Sequence, residues 1–328
     1  MSLKVGLVFD NPRFEIRKNN ESIKEDKQKF ETMRRIREIL SEKYDVFDVI
    51  ADERMPLGLI ERKIDIVFNL STGIRGESRQ SQVPALLEMV GIPYVGSGVL
   101  AHSVALDKST AKRIFKFYGI NTPDFEIISE YSNNITTNLT FPLIVKPSSE
   151  GSGIGIYKES LVYNLNELKK QIKNLINKYN QPILVEEFIE GREFTVGILG
   201  NKPNIKVLPP LEINFDKVPE EYGRFNTFEV KSKYWQLAEY YCPPDISSVL
   251  RSKIEEIALD SYIALECKDF ARVDIRVRDE KPYVLEINTL PGLEDNYSDF
   301  PRMARAAGIE YPELINRLFD IAKKRWNI

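Results

Sequence analysis

The sequence predicts a mixed α/β (α+β) protein of more than one domain, and three observations carry that prediction. At 328 residues the chain is too long for one small core and points to two or three domains. Over the first hundred residues, short apolar runs alternate with helical patterns, as when strands lie in a largely parallel sheet with helical crossovers. From Thr122 the texture changes to short strands around a glycine-rich loop, followed by an amphipathic helix and a further strand.

The elements follow in order. "LKVGLVF" (Leu3–Phe9) reads as a buried strand, and Glu21 to Leu40 carries Phe30, Met33, Ile36 and Leu40 at helical spacing. "YDVFDVI" and "IDIVFNL" are two more strands, and "SQVPALLEMVG" is a helix stopped by its glycine. "GIPYVGSG" is loop-like and leads into "ALDKSTAKRIFKFYGI", with an N-cap at Asp107 and a stop at Gly119. "DFEIIS", "PLIVK" and "GIGIYK" are short strands, and "EYSNNITTNLT" is a surface connection. "NLNELKKQIKNLINKY" is an amphipathic helix and "PILVEEFI" a strand. After "EGREFTVGILGN" come an irregular stretch near Phe215–Pro244, the helix "SSVLRSKIEEIALDSYIALE", and "DFARVDIRVRDEKPYVLEINTLPG". No internal repeat or low-complexity tract occurs.

Composition narrows the function. With 42% hydrophobic and 29% charged residues the chain is an ordinary globular protein. A formal charge of −3 gives no reason to expect a nucleic-acid partner. No apolar run is long enough to span a membrane, and "MSLKVGLVFDNP" enters a strand without a basic leader. The only cysteines, Cys242 and Cys267, have no metal-binding spacing, so a soluble cytoplasmic protein is expected. His102 is the one histidine, which argues against histidine dyads and histidine metal clusters. A lone histidine is more often structural than catalytic. Chemistry here would run on carboxylates, lysine, arginine and backbone dipoles.

The most informative segment is "ARVDIRVRDEKPYVLEIN". Alternation puts Arg272, Asp274 and Arg276 on one face of a strand, and Val284, Glu286 and Asn288 on one face of the next. With "RDEKP" as the hairpin loop and Val277 opposite Tyr283, Asp274 falls opposite Glu286. Like charges placed directly across a sheet are destabilising unless a cation lies between them. Asp274, Glu286 and Asn288 together are hard oxygen donors, the preference of Mg²⁺. Such an ion takes its remaining ligands from substrate phosphates, which makes a nucleoside triphosphate the natural partner.

That partner gives "FPLIVKPSSEGSGIGIYK" a meaning beyond a flexible turn. Gly151, Gly153 and Gly155 leave backbone N–H groups clear for close approach to phosphate oxygens. Lys146 just upstream adds a point charge, and Lys108 could add another. Each lysine taken alone reads more readily as a solvated surface residue than as a phosphate ligand. Neither a P-loop nor a dinucleotide fingerprint is present.

Six segments in order, "GIPYVGSGVLAHSVALDKSTAK", "VKPSSEGSGIG", "LVEEFIEGREFTVGILG", "ARVDIRV", "YVLEINTLPG" and "SDFPRMARAAGI", carry a family likeness. From Leu3 to about Phe319 the chain resembles the ATP-grasp carboxylate–amine ligases, and among them the D-alanine–D-alanine ligase group. The resemblance implies the ATP-grasp fold in three domains: an N-terminal α/β domain (1–106), a central lid domain (107–188) and a C-terminal catalytic domain (189–328). It implies ATP and two Mg²⁺ ions (Mn²⁺ as an alternative), small amino-acid substrates, no membrane or nucleic-acid partner, and a possible homodimer.

Residue by residue, the resemblance gives Lys108 and Lys146 to the ATP phosphates. Ser152 and the backbone of Gly151, Gly153 and Gly155 would form a lid over them. The strand Glu186, Glu187, Phe188 and Ile189 would take adenine along its polar edge, with Glu193 near the ribose. Asp274, Glu286 and Asn288 would hold the metal ions. Arg272 and the Gly292 amide would face a developing oxyanion, and Ser298 would receive the carboxylate of the attacking amino acid. Lys233 and Tyr234 fall on a loop that closes over the site.

The N-terminal third departs from the family. Where the family has a Gly-Gly loop followed by a glutamate and serines, this chain reads "FDNPRFEIRKNNES", with Glu15 or Glu21 as substitutes. Thr72-Gly73 stands where a histidine precedes a glycine, and Gly153 stands where a second serine is usual. Either the donor is still D-alanine, or Arg75 and Arg79 help to bind a larger or more acidic donor. The alternatives are a ligase for another amino acid or specialised-metabolite donor, a catalytically silent nucleotide-binding protein, and a kinase on the same scaffold.

Overall fold

The computed structural model describes residues 2–10, 21–151, 153–223 and 225–328, with the backbone alone described at 21–28 and 232. Three sheets organise them.

The first sheet is parallel throughout. Its strands are β1 (Lys4–Phe9), β2 (Asp45–Ile50), β3 (Ile66–Asn69) and β4 (Tyr94–Val95), in the order β2-β1-β3-β4. The crossovers are α1 (Glu21–Ser41), α2 (Met55–Glu61) and α3 (Gln82–Val90), after which α4 (Val99–Leu106) leads out of the sheet. Buried on both faces, β1 and β3 read as near-continuous apolar runs, which is why the sequence exposed them. α3 ends as expected at Gly91, whose φ of 72° is left-handed. The sequence reading missed α2, α4 and β4. α2 spans only seven residues and β4 two, too short for periodicity to register.

α5 (Lys108–Phe117) starts at Asp107, whose side chain accepts from the Ser109 and Thr110 amides, as its sequence predicts. The second sheet contains β5 (Phe125–Ile128), β6 (Leu143–Pro147), β7 (Leu161–Val162) and β8 (Ile183–Glu187), ordered β5-β8-β6-β7 and covered by α6 (Leu165–Tyr179). "GIGIYK" forms no strand. Gly153 and Gly155 have φ of 75° and 81°, which turns the chain instead of extending it.

The third sheet is antiparallel. Its strands are β9 (Arg192–Asn201), β10 (Asn204–Val207), β11 (Leu211–Asn214), then β12 (Glu239–Tyr241), β13 (Phe270–Arg278) and β14 (Lys281–Asn288). The irregular stretch contains the short helix α7 (Phe228–Ser232), and α8 (Ser248–Ala264), α9 (Asp299–Ala306) and α10 (Tyr311–Trp326) flank the sheet. One core runs from β1, α1 and β3 through Phe270 and Phe300 to Leu318 and Phe319 of α10. A second buries Ala111 and Phe115 of α5 with Phe194, Val273 and Ile287. The second sheet has its own core, centred on Val145, Ile172 and Val185.

Candidate active site

A cleft of about 750 Å³ opens between the glycine loop that follows β6 and the β13–β14 hairpin. Lys108, Lys146, Gly151, Gly153, Glu186, Glu187, Phe188, Ile189, Glu193, Asp274 and Glu286 all line it. The sequence named each of them.

Asp274 and Glu286 are opposed, as counted from the sequence, but the counting succeeds through two compensating features. The hairpin turn is two residues, Asp279 and Glu280, with φ of 51° and 57°, and Arg278 pairs with Lys281. That shifts the register by one relative to a loop starting at Arg278. A β-bulge between Asp274 and Ile275 on one strand and Leu285 on the other shifts it back. The bulge also changes the face: Val284 is buried in the core and Leu285 turns to the cleft beside Glu286.

The two carboxylates are neutralised by protein cations. Asp274 accepts from Arg272 Nε and Nη2, both at 2.9 Å, from Thr195 Oγ1 at 2.7 Å, and from Asn288 Nδ2 at 3.0 Å. Glu286 pairs with Lys108 Nζ at 3.3 Å, and the same ammonium donates to the Glu150 carbonyl. Burial opposes the Glu286 charge, but Lys108, Lys146, Lys231 and Arg272 outweigh it and hold the carboxyl down to about 2. Placing a metal between the acids on grounds of repulsion alone is therefore incomplete, because Arg272 and Lys108 already answer it.

The donor set still fits a hard divalent ion. Among the described residues no group of three or more His, Cys, Asp or Glu gathers to cage a metal. Two carboxylates and an amide oxygen suit Mg²⁺, which completes its shell with water and phosphate.

Glu186 lies at the centre of a buried triad. Its Oε1 meets Lys146 Nζ at 2.5 Å and its Oε2 meets Lys112 Nζ at 2.8 Å, all three side chains being almost wholly buried. Burial lowers the Lys112 pKa to about 8 against the pull of Glu186. For Lys146 burial also opposes the charge, but Glu186 and Glu286 outweigh it and raise the pKa. Sequence reasoning missed Lys112, although it lies four residues after Lys108 on the same helix face.

Other expectations need correction. β8 is an interior strand with β5 on one side and β6 on the other, so Glu186 has no free polar edge. The Glu187 and Phe188 amides are also taken, by the Asp124 and Pro142 carbonyls. Phe188 instead supports Arg276, whose guanidinium lies 4.5 Å from its ring, and Arg276 faces Glu193 at 3.7 Å. Gly155 stands apart from the cleft, packed so closely on Pro147 that a Cβ there would meet its ring at 2.4 Å. Lys233 is exposed and Tyr234 stacks on Tyr222 at 4.1 Å, while Lys231 lines the cleft.

Arg272 and Asn288 adjoin the cleft through Asp274. Gly292 and Ser298 touch each other, with Ser298 Oγ accepting from the Glu294 amide at 3.1 Å. Arg79 is engaged: it donates to the Ser149 carbonyl at 3.1 Å and pairs with Glu150 at 3.4 Å, which ties β3's following loop to the glycine loop. Arg75 is exposed. Ser152 and Glu15 lie outside the described residues, and only the backbone of Glu21 is described. Both thiols are free, and His102 is buried against Thr289.

The fold and this charge-lined cleft define a ligase of the ATP-grasp type, and comparison with known proteins agrees. The model of the D-ala D-ala ligase C-terminus family matches residues 110–320. The D-alanine–D-alanine ligase of Carboxydothermus hydrogenoformans is 38% identical over 293 residues, 86% of this chain and 89% of that protein. An uncharacterized protein, y4sG, of Sinorhizobium fredii is 38% identical over 273 residues, 83% of this chain and 79% of that one. The solved D-alanine–D-alanine ligase of Bacillus anthracis complexed with ATP superposes with a TM-score of 0.78 at 26% identity, covering 99% of each chain. The chain belongs to the D-alanine–D-alanine ligase family.

Proposed function

We propose that this enzyme joins two amino acids at the expense of ATP through an acyl phosphate, with D-alanyl-D-alanine as the first product to test. The observation that carries the reading is the convergence of Lys108, Lys146, Asp274 and Glu286 on one cleft beneath a glycine loop, with Arg272 held against Asp274 at its edge. Ile144, Ile154, Ile156, Phe188, Phe225 and Leu285 give that cleft an apolar end suited to a purine. Its opposite end is ionic and suited to a polyphosphate.

A carboxylate resists amines because oxide is a poor leaving group. Transfer of the γ-phosphoryl group of ATP to the donor carboxylate releases ADP and leaves an acyl phosphate. Lys108 and Lys146 hold the polyphosphate and neutralise its charge, which is most of what phosphoryl transfer asks of a protein. Asp274, Glu286 and Asn288 would hold Mg²⁺, which supplies further charge neutralisation at the phosphates. The acceptor amine then attacks the acyl carbon and loses a proton, and inorganic phosphate leaves. Arg272, fixed in orientation by both oxygens of Asp274, stabilises the tetrahedral oxyanion together with the Gly292 amide. The loop excludes water that would hydrolyse the acyl phosphate.

The donor carboxylate belongs near the C-terminal ends of β1 and β3, where open parallel sheets bind ligands. There Asp10 accepts from Ser71 Oγ, from the Thr72 amide at 3.0 Å and from Thr72 Oγ1 at 2.6 Å. With Arg79 engaged by Glu150, the case for a more acidic donor weakens and D-alanine is favoured. The test is phosphate release with ATP, Mg²⁺ and a panel of D- and L-amino acids. Turnover with D-alanine alone is expected. Nucleotide binding without turnover on any amino acid would overturn the ligase reading.

We further take the enzyme to work in the cytoplasm. Among the described residues no helix is long and apolar enough to cross a membrane.

A further inference from the structure

The acceptor amine arrives as an ammonium at neutral pH, without the lone pair that attack on an acyl phosphate requires. A group beside the acyl carbon must take its proton. Arg272, Lys108 and Lys146 are cations, and Asp274, Glu286 and Glu186 are each held by a protein cation within 3.3 Å.

Asp299 is different. It opens α9 directly after Ser298, and its Oδ2 lies 3.8 Å from Arg272 Nη1. Among the described residues that is its only ion pair, and its side chain accepts no hydrogen bond. The side chain keeps 22% of its surface exposed, enough to be met by a small molecule. An acid in the first turn complements the helix dipole, but that use does not require it to lie against the arginine of the reaction centre.

The charged and titratable groups that face Asp299 come from four elements. Arg272 and Asp274 lie on β13, Lys231 on α7, Arg302 on α9 itself, and Tyr240 with Cys242 on and just after β12. Arg302 is drawn aside to the Tyr240 ring, 4.3 Å away. Burial raises the Asp299 pKa and Asp274 adds to the rise, while Arg272, Lys231 and Arg302 oppose it. A carboxylate with raised proton affinity and no close donor is suited to receive a proton.

We propose that Asp299 is a catalytic residue, the general base that seats the acceptor's ammonium beside Arg272 and takes its proton. The proposal rests on the ligase reading and gives it the proton acceptor of amide-bond formation. One ammonium proton passes to Asp299 Oδ2, and the freed lone pair forms the C–N bond at the acyl carbon. The C–O bond to phosphate then breaks, and the electron pair leaves on the phosphate, which carries off the second amine proton. With Ser298 receiving the acceptor's carboxylate, adjacent residues hold the two ends of one amino acid.

Hydroxylamine, a nucleophile already neutral at neutral pH, separates this role from the rest of the reaction. With ATP, Mg²⁺ and the amino-acid panel as donors, it converts the acyl phosphate to a hydroxamate without a base. Asp299→Asn is expected to slow dipeptide formation at least about a hundredfold while hydroxamate formation stays within about threefold of wild type. The variant's residual kcat/KM for the acceptor should rise about tenfold per pH unit between neutrality and the amine pKa, following the free amine, where wild type stays flat. Asp299→Glu restores part of the dipeptide rate. Equal loss of dipeptide and hydroxamate, or loss of neither, overturns the role of Asp299 alone. A wild-type enzyme that makes no hydroxamate with any member of the panel overturns the ligase reading and this proposal with it.

Discussion

At Gly292 the chain has no room for a side chain: a Cβ would lie 2.7 Å from Ser298 Oγ and 3.4 Å from its Cβ. Ser298 cannot withdraw without giving up the Glu294 amide, the bond that shapes the start of α9. The Gly292→Ala enzyme is therefore expected to fold with a loss of about 1–3 kcal/mol, the usual penalty of overpacking. Its kcat/KM for the acceptor should fall at least about tenfold, because small misplacements of positioning groups are costly in rate. Denaturant melts and steady-state kinetics check both, and unchanged kinetics would remove Gly292 from the reaction centre. The Lys112–Glu186–Lys146 triad shows the opposite economy, in which one buried carboxylate orients two ammonium groups. Lys112 also donates to Thr122 Oγ1 at 2.7 Å, and that hydroxyl donates to the Val284 carbonyl at 2.8 Å. The glycine-loop sheet and the β13–β14 hairpin are thus joined by a continuous polar chain.

The β13–β14 hairpin shows which parts of the site the sequence exposes. Alternation revealed the cleft-facing set Arg272, Asp274 and Arg276, because the other face of β13 is uninterrupted core, from Ala271 through Val273 and Ile275 to Val277. It could not reveal the bulge at Leu285, since Val284 and Leu285 are both apolar and either could face the core. Lys231 was invisible for a different reason: a five-residue helix in an irregular stretch has no periodicity to say where its side chains point. α4 was likewise hidden, yet it carries His102, whose Nδ1 lies 2.7 Å from Thr289 Oγ1 directly after Asn288. Burial lowers the His102 pKa from 6.5 to about 4. The sign follows: the unfolded chain takes up a proton that the folded one refuses. Stability from this group is complete above pH 6.5 and is lost as pH falls towards 4, by about 3 kcal/mol. The chain has no other histidine, so comparing urea unfolding of wild type and His102→Gln between pH 6.5 and 4 isolates the effect. The wild type should lose about 3 kcal/mol more than the variant over that range. Parallel pH profiles would mean that the imidazole is solvated.

Across the whole molecule, the first sheet must keep its place on the third if the proposed donor site at β1 and β3 is to meet Arg272. The shared core is one tie. Asp269, fully buried just before β13, is a second and directional one. Its Oδ1 accepts from Asn201 Nδ2 at 2.7 Å and Arg325 Nε at 2.9 Å, and its Oδ2 from the Gly96 amide and Arg325 Nη2, both at 2.8 Å. Arg325 Nη2 also reaches the Tyr94 and Gly96 carbonyls at 2.8 and 3.0 Å, and Trp326 Nε1 adds a bond to Tyr94 at 2.8 Å. One carboxylate therefore links the end of β4, the turn between β9 and β10, and the C-terminal turn of α10. Removing one member of a buried pair leaves the other charged and uncompensated, so Asp269→Ala should cost about 3–5 kcal/mol. Arg325→Ala should cost at least as much, because the charge it strands, Asp269, is the fully buried one, while Arg325 is partly exposed. The double variant should be much less destabilised than the sum of the two, since neither charge is then stranded. Additive losses in a denaturant cycle would mean that the two groups act independently, and that the apolar core alone holds the first sheet in register with the reaction centre.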